Sequence, residues 1–349
     1  MAGEKPTIDD VARVAGVGRT TVSRVLNQGP NVRPEVRDKV MQAVEALGYR
    51  VNEQARSLAS GAKREIALVH ASDLDTEPNS YYNAGLELGA MRACAEHGFH
   101  LTNHNINQNA PDRSARVRAL LAAGRYEGVI LTPPFSDDVA LIRAVRAGGA
   151  AVISISAGPD GRAVAPSVGI DDFEAGRDIA AYLIGLGHRR FGFILGIEGH
   201  VSAEGRYEGF LKALEEAGVP AEEVAVERGN FTFHSGIACA EAILARSPRP
   251  TALVCANDDM AAGATLTAHK MGLHIPRDIS VTGFDDTPVS EIIWPPLTTV
   301  HQPIREMGRR AAELAIEAVT ERERRPARPT LDLIAHHIVE RESAAPPQI

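Results

Sequence analysis

The sequence has few cysteines and no long hydrophobic run. Its three cysteines, Cys94, Cys239 and Cys255, are widely spaced and form neither a CxxC pair nor a zinc-ligand pattern. We therefore expect them to be small, reduced core residues. No apolar stretch reaches the length of a transmembrane helix, and the start MAGEKPTIDD lacks the apolar segment of a signal peptide. These absences predict a cytoplasmic protein.

The usual catalytic motifs are also missing. Gly196 and Gly199 follow a strand candidate, but no third glycine completes a dinucleotide-binding fingerprint, and no G-x-S-x-G motif is present. His97, His100 and His104 span a helix end and a strand rather than one helical face, which favours a surface cluster over a metal site. The sequence therefore predicts no enzyme, no metal and no cofactor.

The charge of the 349-residue chain is unevenly distributed. The net charge is −8, yet residues 1–64 carry eleven Lys and Arg against seven Asp and Glu, whereas the remainder carries 26 against 38. Such asymmetry between the two parts of a chain indicates a nucleic-acid-binding end. The length also allows more than one domain.

Three short helices are predicted in the first fifty residues. Thr7 begins the first helix with a capping-box pattern, Gly16-Val17-Gly18 forms a tight turn, and the second helix runs from about Arg19 to Leu26. A third helix runs from Pro34 to Leu47. This arrangement predicts a helix-turn-helix unit, whose second helix fits the major groove of DNA. A surface helix with a solvated polar face is the alternative.

The next segment, Asn52 to Gly61, has a small apolar stripe of Ala55, Leu58 and Ala59. It is too short to form a stable helix alone. Paired with its twin in a dimer and placed in a minor groove, it would become ordered, with Leu58 inserted between base steps. A plain linker is the alternative.

From Glu65 onward, short apolar strands alternate with helical stretches, which indicates an α/β fold with parallel sheets. Because there are too many units for one open sheet, we expect two lobes, with residues 157–167 as the first crossing between them and 294–303 as the return. Ligands of such sheets bind beyond the carboxyl ends of the strands, which here would face a cleft. The strand candidates are IALVHAS, LTNHNI, GVILTP, AVISIS, FGFILG, ALVCAND and ISVTGFD.

Polar residues stand where several of these strands end. Asn257-Asp258-Asp259 and Asp285-Asp286 directly follow two of them, and Arg206 follows FGFILG at a greater distance. A carboxylate, an amide and a guanidinium suit the hydroxyls of a sugar, and Phe231 or Trp294 would stack on its apolar face. The aspartates other than Asp285 have an equal alternative as helix caps or surface ion pairs.

The segment TIDDVARVAGVGRTTVSRVLNQGPNVRPEVRDKVMQAVEALGYRVNEQARSLA closely resembles the headpiece of the lactose-repressor (LacI/GalR) family of transcription regulators. ALVCANDDMAAGA, ISVTGFDD and PPLTTV resemble the regulatory domain of that family, so the resemblance spans nearly the whole chain. It implies an all-α helix-turn-helix headpiece, a hinge helix and an α/β two-lobed regulatory domain like the type I periplasmic binding proteins.

The resemblance also implies domain boundaries. The headpiece would occupy residues 1–50, the hinge 51–61, and the effector-binding and dimerisation domain 62–343, followed by a disordered tail at 344–349. Within the large domain, the N-lobe would comprise about 62–166 and 298–328, and the C-lobe about 167–297 and 329–343.

Individual residues take roles from the same resemblance. Those implied to read bases are Arg19, Thr20 and Arg24. Those implied to contact phosphates are Thr7, Thr21, Ser23, Asn27, Tyr49 and Asn52, and the minor-groove pair is Ala55 and Leu58. Arg206, Asn257 and Asp285 match effector-binding positions, and looser matches are Ser202, Phe231 and Gln302.

Three features depart from the family pattern. Gly18 replaces the usual Ser or Asn, which removes a phosphate contact, and the stretch DLDTEPNSYYN after the first strand is longer than usual. The end of the chain, ERESAAPPQI, has no leucine heptad, which favours a dimer over a tetramer.

We therefore expect a cytoplasmic, nucleoid-associated homodimer with no membrane partner. It would act as a repressor on a near-palindromic operator in double-stranded DNA, switched by a small polar effector such as a sugar or sugar derivative. One alternative is a cytosolic sugar-binding enzyme or sensor with secondary DNA binding. The other is a periplasmic binding protein, which would need an export signal.

Overall fold

The computed structural model describes residues 6–26, 32–49, 63–72, 80–107, 110–122, 124–321 and 329–348. The chain divides into two compact units, Met1–Lys63 and Arg64–Ile349. In the part of the chain that is described, no helix is both long and apolar enough to cross a membrane.

The first unit is a three-helix headpiece, as the sequence predicts. Its helices are α1 (Ile8–Ala15), α2 (Arg19–Leu26) and α3 (Pro34–Leu47). The capping box of α1 is present: the Asp10 N–H donates to Thr7 Oγ1 (3.3 Å), and the Thr7 N–H donates to the Asp10 carboxylate (2.9 Å). Gly16 ends α1 at φ 67°, a left-handed conformation that favours glycine.

A small apolar core holds these helices together. Residues from all three helices are buried in it: Val11, Ala12, Val22, Val25, Val40 and Ala43. Because Val22 and Val25 of α2 point inward, Arg24 between them stays exposed and Ser23 is half-buried.

The second unit begins with a six-stranded parallel sheet that forms the first lobe. Its spatial order is β11-β5-β4-β3-β1-β2. Its strands are β1 (Glu65–Ser72), β2 (His100–Asn107), β3 (Gly128–Leu131), β4 (Ala151–Ile155), β5 (Ser167–Gly169) and β11 (Leu331–Leu333). Its helices are α4 (Tyr81–Glu96), α5 (Arg113–Ala122), α6 (Val139–Ala147), α7 (Pro159–Arg162) and α13 (Ile304–Thr320).

The second lobe contains another six-stranded sheet, in the order β12-β10-β9-β8-β6-β7. All of its strand pairs are parallel except β12 with β10. Its strands are β6 (Phe191–Leu195), β7 (Ala225–Arg228), β8 (Ala252–Cys255), β9 (Ser280–Asp285), β10 (Thr298–His301) and β12 (His337–Val339). Its helices are α8 (Asp172–Gly185), α9 (Val201–Glu216), α10 (Phe233–Leu244), α11 (Asp258–Lys270) and α12 (Val289–Ile292).

Glycines allow the helices of each lobe to pack closely in pairs. A Cβ added to Gly89 of α4 would lie 1.9 Å from the Arg305 carbonyl oxygen of α13, and one added to Gly176 of α8 would lie 1.9 Å from the Arg206 carbonyl oxygen of α9. The backbones of these helix pairs therefore approach each other at positions where only glycine fits.

The positions at which the chain passes between the lobes correct the predicted lobe boundaries. The segment 157–167 is not a crossing, because it forms α7 and returns to the first sheet as β5. The crossings lie at 170–171, 302–303 and 334–336, since β5 and β11 belong to the first sheet whereas β10 and β12 belong to the second. The predicted boundaries at 166/167, 297/298 and 328/329 are therefore each displaced by a few residues.

The predicted disordered tail is also wrong for the described residues 344–348. Ser343 Oγ accepts from the Thr298 N–H (2.8 Å) and donates to the Val281 carbonyl (2.6 Å). The Ala345 carbonyl accepts from Ser280 Oγ (3.1 Å) and lies 3.0 Å from Nε2 of the buried His188. Hydrogen bonds to the backbone, which leave no pattern in a sequence, hold this segment on the second lobe.

We expect deletion of residues 343–349 to lower the free energy of unfolding by about 2–4 kcal/mol, because several buried hydrogen bonds worth about 1 kcal/mol each are lost. Deletion of residues 346–349 alone keeps these bonds and should change stability by less than about 0.5 kcal/mol. Urea unfolding measures both. Equal losses in the two truncations would contradict the stabilising role of Ser343 and Ala345.

Candidate functional site

A cavity of about 430 Å³ lies between the two lobes, at the carboxyl ends of their strands. Its volume is in the range of small-molecule binding sites, and its position is the one that open parallel sheets use for ligands. The polar residues that line it are Ser72, Ser80, Tyr82, Asn83, Arg113, Thr132, Glu198, His200, Ser202, Arg206, Asn230, Thr232, Asn257, Asp259 and Asp285.

Arg206 of α9 is a buried charged residue that lines this cavity. Its Nε donates to Asp172 Oδ1 (2.9 Å), and its Nη1 donates to the Ala256 carbonyl (2.9 Å). The guanidinium also lies over the Phe284 ring, 3.6 Å from the centroid. Burial raises the pKa of Asp172, and Arg206 opposes that rise. The guanidinium is therefore fixed in place, with its charge partly balanced before any ligand binds.

Asp285, the last residue of β9, faces the same cavity. Burial raises its pKa well above the ordinary value, and the charge of Arg206 offsets part of that rise. Gln302 Nε2 donates to Asp285 Oδ1 (2.9 Å). The backbone of Asp285 has φ 104°, a conformation that costs energy in a non-glycine residue and is common at functional sites.

Asn257 and Phe231 form a connected wall. Asn257 Oδ1 accepts from the Met260 N–H (3.0 Å) as the N-cap of α11, and its Nδ2 donates to the Phe231 carbonyl (2.9 Å). The Phe231 ring lies against Gly196, since a Cβ there would be 2.1 Å from Phe231 Cζ. Gly196 therefore makes room for an aromatic ring at the cavity.

His200 completes this wall beside Ser202. The Ala203 N–H donates to His200 Nδ1 (3.4 Å), and the Ser202 hydroxyl lies 3.1 Å from the same nitrogen. Loss of solvent, together with the charge of Arg206, lowers the pKa of His200 to about 3, so the ring is neutral at pH 7. Because Nδ1 accepts, the single proton is on Nε2. The ring also contacts Phe231 edge-on, at a centroid distance of 4.8 Å.

In the headpiece, α2 presents a polar outer face. Arg19, Thr20 and Arg24 are exposed, whereas Thr21 and Ser23 are half-buried. An exposed polar helix of this kind, in a helix-turn-helix, is suited to the major groove of DNA, where arginine side chains hydrogen-bond guanine.

Two family models match the chain. One, described as bacterial regulatory proteins of the lacI family, matches residues 7–52, and one described as a periplasmic binding protein-like domain matches residues 180–344. The HTH-type transcriptional regulator CelR of Thermobifida fusca is 34% identical over 342 residues, which cover 97% of this chain and 98% of that protein. The chain belongs to the LacI family.

Other relatives agree with this assignment. The HTH-type transcriptional repressor PurR of Mannheimia succiniciproducens is 33% identical over 322 residues, covering 91% of this chain and 93% of that protein. The structure of a CelR–cellobiose complex covers 97% of this chain and 99% of its own, with a TM-score of 0.73 and 31% identity. That of a lac repressor dimer bound to operator and the anti-inducer ONPF covers 98% and 100%, with a TM-score of 0.76 and 27% identity.

This LacI-family chain is thus a DNA-binding transcriptional regulator and not an enzyme. The predicted architecture, a helix-turn-helix headpiece and a two-lobed α/β domain, is confirmed. Two of the three clustered histidines have contacts within the protein: His97 Nδ1 lies 2.9 Å from the Ala93 carbonyl, and His104 Nε2 lies 2.7 Å from the Tyr126 hydroxyl. Among the described residues, no cluster has the composition of a metal site.

The predicted effector residues of this LacI-family regulator mostly meet in the cavity. Arg206, Asn257, Asp285, Ser202 and Phe231 all line it. Gln302 is not among the described residues that line the cavity. It lies behind Asp285 and holds its carboxylate in place.

Of three other candidates, Asp258 and Asp286 make contacts within the fold and Trp294 lies on the surface. Asp258 is fully buried and accepts from the Thr287 N–H (2.7 Å) and from Thr299 Oγ1 (2.7 Å), and burial raises its pKa to about 7. Asp286 is held by Arg341 Nη2 (2.8 Å), as the ion-pair interpretation predicts. Trp294 is 73% exposed and is not among the described residues that line the cavity, so the structure does not support the stacking role.

The sequence did not single out individual residues on the cavity wall contributed by the first lobe, nor did it indicate His200. Tyr82 and Asn83 lie near the start of α4, and burial raises the pKa of the Tyr82 hydroxyl. Neither follows a strand directly, so the rule that polar residues collect at strand ends did not find them. His200 is the N-cap of α9, a position where Ser, Thr, Asp or Asn is the usual signal.

The remaining DNA-contact candidates are partly within and partly outside the described residues. Thr7 caps α1, and Tyr49 is half-buried against the headpiece core. Asn27, Asn52, Ala55 and Leu58 lie outside the described residues.

Proposed function

We propose that this LacI-family chain is a homodimeric repressor whose operator affinity is switched by a neutral carbohydrate bound between the lobes. The relatives support this: CelR is known in complex with cellobiose, and the lac repressor as a dimer bound to operator. Two copies of one headpiece would read two half-sites, so the operator would be near-palindromic.

The observation that carries the proposal is the balance of ionisable groups in the cavity. Arg206 is already paired with Asp172, and the ionisable side chains of Asp, Glu and Arg that line the cavity among the described residues are Arg113, Arg206, Glu198, Asp259 and Asp285. Among these residues, an anionic ligand would meet three carboxyl groups against two arginines, one of which is already paired with Asp172. Hydroxyl groups, which both donate and accept, match the amide, carboxylate and guanidinium groups instead.

The proposed binding residues would make both polar and apolar contacts with the sugar. Arg206, Asn257, Asp285 and Ser202 would hydrogen-bond the hydroxyls, and Phe231 would cover an apolar sugar face, with Gln302 orienting Asp285. On the DNA, Arg19, Thr20 and Arg24 would read bases, and Thr7, Thr21, Ser23 and Tyr49 would contact phosphates, as would Asn27 and Asn52, with Ala55 and Leu58 in the minor groove.

The switch would act through the relative position of the lobes. A ligand that contacts both walls of the cavity favours one lobe arrangement, and the first lobe follows the headpiece in the chain. Coupling of this kind is typically about 1–3 kcal/mol, which changes operator occupancy several-fold or more.

Thermal shift with a panel of neutral mono- and disaccharides, including cellobiose, tests the proposed ligand class. A ligand that binds the folded state raises its melting temperature. Stabilisation by a neutral sugar supports the proposal. Stabilisation only by a sugar acid or a purine base would contradict it.

Asp285→Ala should weaken binding of the stabilising sugar by about tenfold or more, because a hydrogen bond to a buried carboxyl group is lost. Gel-shift measurements should find operator affinity in the absence of sugar within about twofold of the wild type. A variant that responds to the sugar normally would remove Asp285 from the binding site.

A further inference from the structure

An ion pair joins the first two helices of the headpiece on their outer surface. Arg19 Nη1 lies 3.5 Å from Asp9 Oδ2, and the side chains are 68% and 65% exposed. Asp9 lies in the first turn of α1, and Arg19 is the first residue of α2. The pair therefore connects the helix that supports the turn to the N-terminal end of the helix with the DNA-facing polar surface.

The neighbouring acid, Asp10, makes other contacts. Its carboxylate accepts from the Thr7 N–H and from Thr7 Oγ1, which closes the capping box, and it also pairs with Arg13. The start of α1 is thus capped without Asp9. An acid in this turn still interacts favourably with the helix dipole, a small effect that applies to any exposed first-turn acid.

Folding stability gives a weak reason for the Asp9–Arg19 pair, because exposed ion pairs contribute little. DNA binding gives a reason against Asp9, since a carboxylate beside a polyanion is repelled. The position of Asp9 is explained instead by its contact with Arg19. Arginine has a long side chain with many rotamers, and a bidentate contact to guanine needs its planar group in one orientation. A carboxylate on one edge of the guanidinium restricts those rotamers and leaves the other N–H donors available.

We propose that Asp9 is a positioning residue for DNA recognition: it holds the Arg19 guanidinium in the orientation that reads a guanine, and thereby sharpens selection at one base position. This inference rests on the proposed base-reading role of Arg19. Asp9 would be a specificity determinant on α1, outside α2, the helix suited to the major groove.

The test is operator selection from randomised duplexes by the full-length Asp9→Asn variant. Discrimination at the base position that depends on Arg19 should fall by up to about fivefold, the range of an exposed ion pair, while the other positions keep their preferences. Affinity for non-specific duplex should stay equal or rise, because one negative charge is removed. Unchanged discrimination at every position would overturn the inference.

Two further variants separate positioning from a general charge effect. Arg19→Ala identifies the base position concerned, and adding Asp9→Asn to it should change base selection no further, since the two residues act on selection as one unit. Glu35→Gln removes an acid that is also exposed, from the first turn of α3, and should leave selection unchanged. An effect of Asp9→Asn on base selection that persists without Arg19, or that Glu35→Gln reproduces, would overturn the inference.

A thermal melt of each variant tests whether Asp9 acts only on the stability of the headpiece. Loss of a favourable charge at the start of α1 would lower the melting temperature of the headpiece without altering base preference, and that result would overturn the inference. A wild-type chain that selects no duplex at all would overturn the proposed function itself, which is a distinct outcome.

Discussion

Arg206→Ala should lower the free energy of unfolding by about 3–5 kcal/mol and abolish stabilisation by the bound sugar. The substitution leaves the Asp172 carboxylate, which is 7% exposed, without its ion-pair partner, and it leaves the Ala256 carbonyl without its donor. A buried charge that loses its partner is among the most destabilising changes known in proteins. Urea unfolding at pH 7 measures the loss, and thermal shift measures the sugar response.

The neighbouring helix offers a matched control. Arg177 of α8 pairs with Glu174 and Glu216 at the surface, where its side chain is 40% exposed. Arg177→Ala removes the same chemical group from solvent-screened pairs and should cost less than about 1 kcal/mol. Similar losses for Arg177→Ala and Arg206→Ala would show that burial of the Arg206 pair has no special effect.

A double variant separates stability from ligand binding. Asp172→Ala combined with Arg206→Ala removes both partners, so no unpaired charge remains and much of the stability should return. Sugar binding should not return, because Arg206 itself lines the cavity. Recovery of both properties would mean that Arg206 acts on the ligand only through the fold.

Gly176→Ala should be the second severe change, with a loss of about 1–3 kcal/mol or more. The added methyl group would lie 1.9 Å from the backbone carbonyl of Arg206, and a backbone atom cannot move aside as a side-chain end can. Helices α8 and α9 would have to separate. Because α9 carries Ser202 and Arg206, sugar affinity should fall together with stability in urea unfolding and thermal-shift measurements.

Gly185→Ala, near the end of the same helix, provides the comparison. A Cβ added to Gly185 meets nothing within 4 Å, so the substitution should be neutral or stabilise the protein by up to about 1 kcal/mol. If both alanine variants behave alike, helix propensity rather than close packing determines the effect at position 176.

Local patterns in the sequence were sufficient for the headpiece and for the long strands. Caps, a glycine turn and regular apolar spacing predicted α1, α2 and α3 nearly to the residue, and all seven strand candidates are present. The strands that were missed, such as β5 and β11, have three residues each. So short a strand has no alternation to detect, and its lobe is decided by pairing with strands distant in sequence.

The residues of the candidate site were likewise predictable from the sequence only in part. Residues of the second lobe such as Asp285 were found because they directly follow a strand, a position that is visible in the sequence. Tyr82 and His200 were missed because their place in the cavity depends on how two lobes face each other. The ion pair of Asp9 with Arg19 likewise depends on the angle between two helices, which no local pattern specifies.

The triple passage of the chain between the lobes means that neither lobe is a continuous stretch of the gene. The first lobe takes its strands from two separated parts of the sequence, and so does the second. No simple truncation yields one lobe alone, and exchange of a lobe with a relative would require several splice points. A protease that cuts at any one of the crossings leaves the lobes covalently connected through the two that remain.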